Sequence, residues 1–176
     1  MNRKVILYIA VSLDNYIARD NGDVDWLVGD GSAPNVDSGY EEFYKNIDTV
    51  IMGKSTYDQV LSFGEYPYKD AKGYVYTRSK IESNEYVEFT CEDPKKLINR
   101  LKNQDGRDIW IVGGAEMVDI FLKDNLIDEF IIATIPTILG KGIPLFKAGN
   151  KEIKLKLVES KIFDGIVQNH YLKDNR

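Results

Sequence analysis

Three short segments of this chain carry residue types that suit an anionic ligand. Gly53 to Thr56 offers an ammonium group and two hydroxyls, and Thr77 to Ser79 offers a guanidinium group and two hydroxyls. The third segment is the pair Gly113 and Gly114, where a ligand can approach the bare backbone. A helix that starts after such a segment presents free N–H groups and the positive end of its dipole. The three segments therefore indicate phosphate-binding chemistry.

The preceding strands determine where these segments lie. Apolar, β-rich runs, of which Lys4 to Val11 is the first, alternate with amphipathic helical patterns to about residue 135. Two final runs flank Asp164 and Gly165, a hairpin turn signal. This order predicts an α/β fold: a mainly parallel central sheet, helices on both faces and a C-terminal antiparallel hairpin. Ligands bind beyond the carboxyl ends of such strands, so the three segments are expected to meet on one ligand.

Three local patterns carry further predictions. Ser38 is expected to cap the helix that follows it, because a serine hydroxyl accepts hydrogen bonds from first-turn N–H groups. The run Ile153 to Phe163 alternates apolar and polar residues, which is typical of a strand with one buried face. Trp26 interrupts a polar, turn-rich loop and is expected to pack that loop onto the rest of the fold.

Size and composition limit the classes of protein that fit. The 176 residues predict one domain spanning 1–176. A net charge of −5 and a pI near 5.0 argue against a nucleic acid or an anionic membrane as partner. With Cys91 and His170 as the single cysteine and histidine, neither a disulfide nor a metal site is expected. No apolar run approaches the roughly 20 residues of a membrane span, and no signal-peptide pattern is present, which favours a cytoplasmic protein.

The segment from Gly53 to Ser55 superficially resembles the phosphate loop of ATPases. That loop needs a further glycine upstream at a fixed spacing, and this chain lacks it, so an ATPase is rejected. Any one of the three segments taken alone is better explained as an ordinary strand-to-helix turn, with Lys54 and Arg78 as solvated charges. Their occurrence together favours a shared ligand.

Five motifs, in order along nearly the whole chain, resemble one superfamily. Val50 to Tyr57, Val75 to Ser79 and Ile109 to Ala115 look like the three cofactor segments of the dihydrofolate reductase fold. Ser12 to Ala18 resembles the first motif of that superfamily. Leu139 to Phe146 is similar to the branch that contains the riboflavin-pathway reductase, the RibD C-terminal family. The resemblance implies a three-layer, dihydrofolate reductase-like α/β fold.

The resemblance also implies an NADPH-dependent reductase. Lys54 and Arg78 would together neutralise the 2′-phosphate, which favours NADPH over NADH. The cofactor-binding residues that it implies are Ala10 and Ile17 at the nicotinamide; Gly53, Lys54, Ser55 and Thr56 at the phosphates; Thr77, Arg78 and Ser79 at the adenosine ribose; and Gly113, Gly114, Ala115, Glu116 and Met117 at the pyrophosphate.

The proton donor for such a reduction stays open. Dihydrofolate reductases carry an acid on the helix before the Val50 strand, and here that position matches Tyr40 as well as Glu41. Asp14, in the loop that would face the nicotinamide, is the other catalytic candidate, although it fits a turn-fixing role equally well. The loop from Asp20 to Trp26 would act as a lid. Three aromatic residues are expected on the substrate side: Trp26, Tyr40 and Tyr44.

The substrate is a small pterin- or pyrimidine-like molecule under this resemblance. A reductase of 5-amino-6-(5-phosphoribosylamino)uracil is the first hypothesis, and dihydrofolate reductase is the alternative. Phe63 to Lys72 lacks the Asp-Asp-Pro and arginine segment that holds the substrate phosphate in riboflavin-pathway reductases, and no deaminase domain precedes it, so the chain resembles stand-alone members. A non-catalytic nucleotide-binding or stress module is a hypothesis of another class, and a flavin- or mononucleotide-binding protein is a third. The last strands could also pair two copies into a homodimer.

Overall fold

A computed structural model describes residues 3–33, 36 and 38–174, as ten strands and four helices. The strands are β1 Val5–Ser12, β2 Tyr16–Ala18, β3 Ile47–Gly53, β4 Lys72–Tyr76, β5 Val87–Thr90, β6 Asp108–Gly113, β7 Glu129–Ile135, β8 Ile143–Pro144, β9 Leu155–Phe163 and β10 Ile166–Lys173. The helices are α1 Tyr40–Lys45, α2 Lys54–Ser62, α3 Pro94–Lys102 and α4 Ala115–Lys123. None of these helices is both long enough and apolar enough to cross a membrane.

Eight strands form one sheet in the order β5-β4-β3-β6-β1-β7-β10-β9. The strands from β5 to β7 are mutually parallel, while β10 pairs antiparallel with both β7 and β9. The predicted mainly parallel sheet with a C-terminal antiparallel hairpin is therefore confirmed. β1 lies at the centre between β6 and β7, as its near-continuous apolar sequence predicts for a strand covered on both faces.

Each face of the sheet packs against its own pair of helices. One apolar cluster joins alternate residues of β1 and β6, such as Leu7 and Ile111, to the buried faces of α3 and α4. The other joins Trp110 and Val50 to aromatic residues of α1 and α2, so helices lie on both faces as expected. Because α2 follows β3 directly and α4 follows β6 directly, both helices begin at the carboxyl edge of the sheet.

Two predicted details differ from the structure. Helix α1 begins at Tyr40, and Gly39, in the left-handed conformation, occupies its N-cap position; Ser38 lies one residue earlier, and its hydroxyl accepts from Tyr40 N at 3.3 Å. Strand β9 has no buried face: it is the edge strand, and Leu155, Leu157 and Ile162 are 40%, 51% and 76% exposed. Nothing in the described part of the chain covers the apolar side of this strand.

A second, two-stranded sheet was not expected from the sequence. β2 pairs antiparallel with β8, and the turn before β2 is fixed by the hydrogen bond from Leu13 N to Thr137 O, 2.8 Å long. Strands of two and three residues are too short to show a period-2 pattern. The small sheet joins the loop after β7 to the loop after β1, next to the carboxyl edge.

Candidate functional site

A groove of about 1320 Å³ runs along the carboxyl edge of the sheet. Its volume exceeds the range of roughly 300–1,000 Å³ typical of small-ligand pockets, which leaves room for a dinucleotide. The predicted cofactor residues that line it are Ala10, Ile17, Gly53, Lys54, Ser55, Thr56, Thr77, Arg78, Ser79, Gly114, Ala115, Glu116 and Met117. Gly113 precedes this lining at φ 131°, a conformation that suits glycine. The structure thus brings the three segments together.

Helices α2 and α4 begin next to each other in this groove. Gly53 and Gly114 are their N-cap residues, and neither helix start has a side-chain cap. A Cβ atom added to Gly114 would lie 3.3 Å from the Thr56 hydroxyl oxygen, and one added to Gly53 would lie 3.4 Å from Met117 Cγ. The two sets of free N–H groups are therefore close in space and bare of side chains, which suits an anion that spans both.

The two predicted cations differ in their surroundings. The Lys54 ammonium group donates to both carboxylate oxygens of Asp58, at 2.6 and 2.7 Å, one turn along α2. Arg78 follows the end of β4, is exposed, and has no ion-pair partner within the described residues. The backbone around it is ordered by hydrogen bonds from Thr77 N to Thr90 O and from Ser79 N to the Thr77 hydroxyl. Arg78 is thus the more available cation for a phosphate.

The opposite end of the groove is apolar. Ala10 and Ile17 line it beside Ile9, Val112 and Leu27. An added Cβ at Gly114 would also lie 3.8 Å from Ile17 Cδ1, so this apolar end begins where α4 begins. The desolvation cost of binding there is small for a flat, uncharged ring and large for a charged group.

The loop predicted to act as a lid crosses the groove. Gln59 of α2 donates from Nε2 to the Gly22 carbonyl oxygen at 2.5 Å, and Asn21 and Asp23 line the groove beside it. Arg19 holds the base of the loop through hydrogen bonds to both oxygens of Asp25, at 2.7 and 2.9 Å. Trp26 is 4% exposed, lies outside the groove lining, and its indole nitrogen has no partner among the described residues. Its burial packs the loop onto the fold rather than forming a groove wall.

Asp14 has a structural role in this arrangement. Its carboxylate accepts hydrogen bonds from the Ser12 hydroxyl at 2.7 Å and from the backbone N–H groups of Leu139 and Gly140 at 3.0 and 2.7 Å. Desolvation opposes ionisation, but these hydrogen bonds outweigh it and lower the pKa of Asp14. Asp14 also lies outside the groove lining. An ionised group that is occupied by three donors is a poor proton donor.

The candidates on α1 also lie away from the groove lining. Glu41 is exposed on α1. The Tyr40 ring stacks on Tyr44 with centroids 5.9 Å apart and meets Trp110 edge-on at the same distance. Burial raises the pKa of Tyr40 to about 12, so its hydroxyl stays protonated at neutral pH. Tyr40 and Tyr44 therefore form an aromatic wall on the α1 face of the sheet.

The lining also contains residues that the sequence analysis did not single out, among them Asp58, Gln59 and Lys147. Asp58 had a usable signal, because it lies four residues after Lys54, the spacing of a helical ion pair. Gln59 had none, since its contact with Gly22 depends on tertiary structure. Lys147, on the segment after β8, forms an ion pair with Glu116 at the start of α4. Lys147 and Glu116 are 31 residues apart, so no local sequence pattern predicts their contact. The described residues hold no cluster of three side chains that could bind a metal ion.

Comparisons with known proteins agree with the motif assignment. The model of the RibD C-terminal domain family matches residues 67–168. The chain is 47% identical to the uncharacterized protein YwjB of Bacillus subtilis (strain 168), over 98% of this chain and 99% of that protein. A putative riboflavin biosynthesis protein of Shewanella sp. PV-4 has a crystal structure that matches with a TM-score of 0.86 and 30% identity, over 98% of this chain and 99% of that one.

The fold extends to a more distant group. Dihydrofolate reductase from Enterococcus faecalis, solved with NADP(H), matches with a TM-score of 0.69 at 12% identity, over 99% of both chains. At this identity the match shows the fold alone, and it confirms the dihydrofolate reductase-like α/β architecture. Since the family model covers more than half of the chain, this protein belongs to the RibD C-terminal domain family.

Proposed function

We propose that this protein is an NADPH-dependent reductase that transfers a hydride to a small pyrimidine- or pterin-like substrate. The observation that carries the proposal is the groove itself, which runs from the exposed Arg78 past two uncapped helix starts to an apolar end. NADPH has a 2′-phosphate on its adenosine ribose, a pyrophosphate and an uncharged ring in the same order. The family membership supports the proposal, because riboflavin-pathway reductases and dihydrofolate reductases share this fold.

The residues present fit the cofactor. The N–H groups at the starts of α2 and α4 would bind the pyrophosphate, and Gly53 and Gly114 would allow it to approach the backbone. Arg78 would hold the 2′-phosphate, because a guanidinium group binds phosphate oxygens through two parallel hydrogen bonds. Lys54 would contribute less than predicted, since Asp58 already neutralises it. Ala10 and Ile17 would border the nicotinamide.

The chemistry divides between the cofactor and this chain. Bound NADPH supplies a hydride, which carries two electrons to an electrophilic carbon of a C=N or C=O bond. The lid held by Gln59 would keep water from the hydride path, and the apolar residues near Ala10 would orient the ring. The nitrogen or oxygen that gains the electron pair needs a proton. Because Asp14 and Glu41 both lie outside the groove lining, we propose that a water molecule delivers it.

The substrate would lie on the α1 face of the sheet, beyond Ala10. Ala10 pairs with Ala133, Ala133 pairs with Gln168, and Gln168 pairs with Lys161, so their side chains share one face across four strands. Tyr8, on the same face, donates its hydroxyl to Gln168 Oε1 at 2.9 Å. The two alanines would leave room for a flat ring, and the Gln168 amide would bind its polar edge. Lys161 now pairs with Glu159 at 3.2 Å and would exchange this partner for an anionic group of the substrate.

The row of side chains from Ala10 to Lys161 fits the phosphoribosylaminouracil better than dihydrofolate as the substrate. A uracil ring offers carbonyl acceptors to an amide, and a ribose phosphate would extend towards Lys161. A dihydrofolate reductase would use an acid near its pterin ring, and here Tyr40 stays protonated while Glu41 is exposed. Dihydrofolate reduction therefore remains the second candidate.

A side-by-side assay of two substrates tests the proposal. NADPH oxidation at 340 nm would be followed with the riboflavin-pathway ribosylaminopyrimidine and with dihydrofolate in parallel, on the wild type and on Gln168→Leu. We expect turnover of the ribosylaminopyrimidine, and a higher KM in the variant. Binding of NADPH without turnover of either substrate would favour the non-catalytic nucleotide-binding module instead. Failure to bind NADPH at all would end both readings.

A further inference from the structure

The cofactor groove contains an ion pair that its proposed function does not explain. Glu116 lies in the first turn of α4, and its carboxylate pairs with Lys147, which follows β8. Both residues line the groove. We propose that Lys147 is a further cofactor-binding residue that contacts the pyrophosphate, and that Glu116 competes with the pyrophosphate for it. This inference rests on the proposed binding of a nicotinamide dinucleotide.

The position of Glu116 makes it a competitor for an anion. Carboxylates are stabilised near helix N-termini for the same electrostatic reason as phosphates. The start of α4 has no side-chain cap, so its N–H groups are open to either anion. Glu116 is 79% exposed and Lys147 is 35% exposed, which leaves the carboxylate free to move away while the lysine stays at the groove wall.

The backbone of Lys147 is fixed beside α4. Asn150 donates from Nδ2 to the Lys147 carbonyl oxygen at 3.0 Å and to Asp119 Oδ1 at 3.1 Å. Asp119 is only 6% exposed and accepts a second hydrogen bond from Lys123 at 2.7 Å, so it is a firm anchor on α4. Asp119 lies one helical turn after Glu116. The lysine side chain can therefore change its partner without displacement of the segment that carries it.

The charges around the groove favour the exchange of Lys147 from Glu116 to the pyrophosphate. An anionic pyrophosphate at the start of α4 would be repelled by Glu116 unless a cation lies between them. Lys54 lies at the start of α2 and Arg78 follows the end of β4, so Lys147, paired with Glu116, is the lining cation next to the start of α4. When Lys147 turns to the pyrophosphate, Glu116 can rotate into solvent at little cost because it is already exposed.

Lys147 should therefore strengthen the binding of the dinucleotide, and Glu116 should weaken it. Because NADPH and NADH share the pyrophosphate, each substitution should change the affinity for both to the same extent. Dissociation constants for NADPH and for NADH would be measured by isothermal titration calorimetry on Lys147→Met, Glu116→Gln and the wild type. Loss of one charge-assisted contact in a partly exposed site predicts a roughly 3- to 10-fold weaker affinity for both nucleotides in Lys147→Met. Removal of the competing charge predicts a roughly 2- to 5-fold tighter affinity in Glu116→Gln.

Matched controls separate this inference from a change in stability and from the proposed function. Lys151→Met removes an exposed lysine of the same segment that lies outside the groove lining, and should leave both constants unchanged. Lys147→Gln repeats the test with a polar side chain, and thermal unfolding checks that each variant is folded. Unchanged affinity in folded Lys147 variants, or weaker affinity in Glu116→Gln, would overturn the inference. No binding to the wild type would instead refute the dinucleotide site itself.

Discussion

Gln59 Nε2 lies 2.5 Å from the carbonyl oxygen of Gly22, so a helix that begins at the groove also holds the loop that crosses it. This hydrogen bond connects α2 to the segment after β2 over 37 residues of sequence. The loop reaches no other side chain of α2 through a hydrogen bond in the described part of the chain. Gln59 therefore holds the predicted lid against α2.

Loss of the Gln59–Gly22 hydrogen bond should change the rates of NADPH binding and release more than the affinity for NADPH. In Gln59→Leu the lid loses one hydrogen bond, worth about 0.5–1.5 kcal/mol, and should open more often. We expect NADPH to dissociate roughly 2- to 10-fold faster in stopped-flow fluorescence, with a smaller change in the dissociation constant. Gln104→Leu, an exposed glutamine after α3, is the matched control. An unchanged dissociation rate would mean that the lid does not gate the groove.

A side chain at the glycine pair should block the cofactor without unfolding the protein. In Gly114→Ala the added methyl carbon would lie 3.3 Å from the Thr56 hydroxyl oxygen and would cover the backbone where the pyrophosphate approaches. NADPH affinity should fall by about 10-fold or more, while thermal unfolding shifts by only a few degrees. Calorimetric titration together with a melting curve would measure both. Undiminished affinity would show that the pyrophosphate lies elsewhere.

Asp14 should matter for stability and not for the chemical step. Desolvation raises the pKa of Asp14, but the hydrogen bonds from the Ser12 hydroxyl and two backbone N–H groups together outweigh it, so the pKa is lowered in the folded protein. Because the folded pKa lies below the unfolded value of 3.8, the ionised form favours folding above that pH. Asp14→Asn should therefore lower stability at neutral pH, and the difference from wild type should shrink as the pH falls through the folded pKa.

Urea unfolding from neutral to acidic pH would measure this difference, with Asp105→Asn, an exposed aspartate in a turn, as the control. Turnover per folded Asp14→Asn protein should stay close to wild type. A stable variant that has lost its activity would restore Asp14 as the proton donor.

The edge strand β9 should join two copies of this chain. Its exposed Leu155, Leu157 and Ile162 and its unpaired backbone groups would be protected by a second copy. We expect the wild type to sediment as a dimer, and the double variant Leu157→Lys with Ile162→Lys to sediment as a monomer. Ile138→Lys, at an equally exposed apolar residue in a loop, should remain a dimer. A monomeric wild type would remove the homodimer proposal.

Much of the fold could be predicted because its local signals agree with its tertiary structure. Central strands such as β1 and β6 are apolar on both faces, and Asp93 with Pro94 marks the start of α3, where the Asp93 carboxylate accepts from Lys96 N at 3.1 Å. Strand ends at Gly53 and Gly113 then placed the groove, since parallel strands present their carboxyl ends at one edge.

The remaining features depend on contacts that no local pattern encodes. The Ser38 hydroxyl accepts from the N–H of Tyr40, yet α1 starts one residue later than expected, so Gly39 and not Ser38 occupies the N-cap position. The alternation of β9 correctly indicated a strand, but a two-residue period cannot tell whether anything covers the apolar side. Asp14 was ambiguous because its partners, Leu139 and Gly140, are more than a hundred residues away.

Arg78 should distinguish the two nicotinamide cofactors. It is an exposed cation that lines the groove and has no ion-pair partner among the described residues. NADH lacks the 2′-phosphate, so Arg78→Ala should weaken NADPH by roughly 10- to 100-fold and NADH by less than about 2-fold. Lys80→Ala, an exposed cation two residues further along, is the control. Equal losses for both cofactors would place Arg78 at a phosphate that the two share.

Calorimetric titration of NADPH into the wild-type protein tests most directly whether the starts of α2 and α4 and the end of β4 share one ligand. The arrangement predicts one saturable NADPH site per chain, with NADH bound more weakly. Absence of saturable binding, or equal affinity for NADPH and NADH, would contradict a site in which these three elements together hold one NADPH.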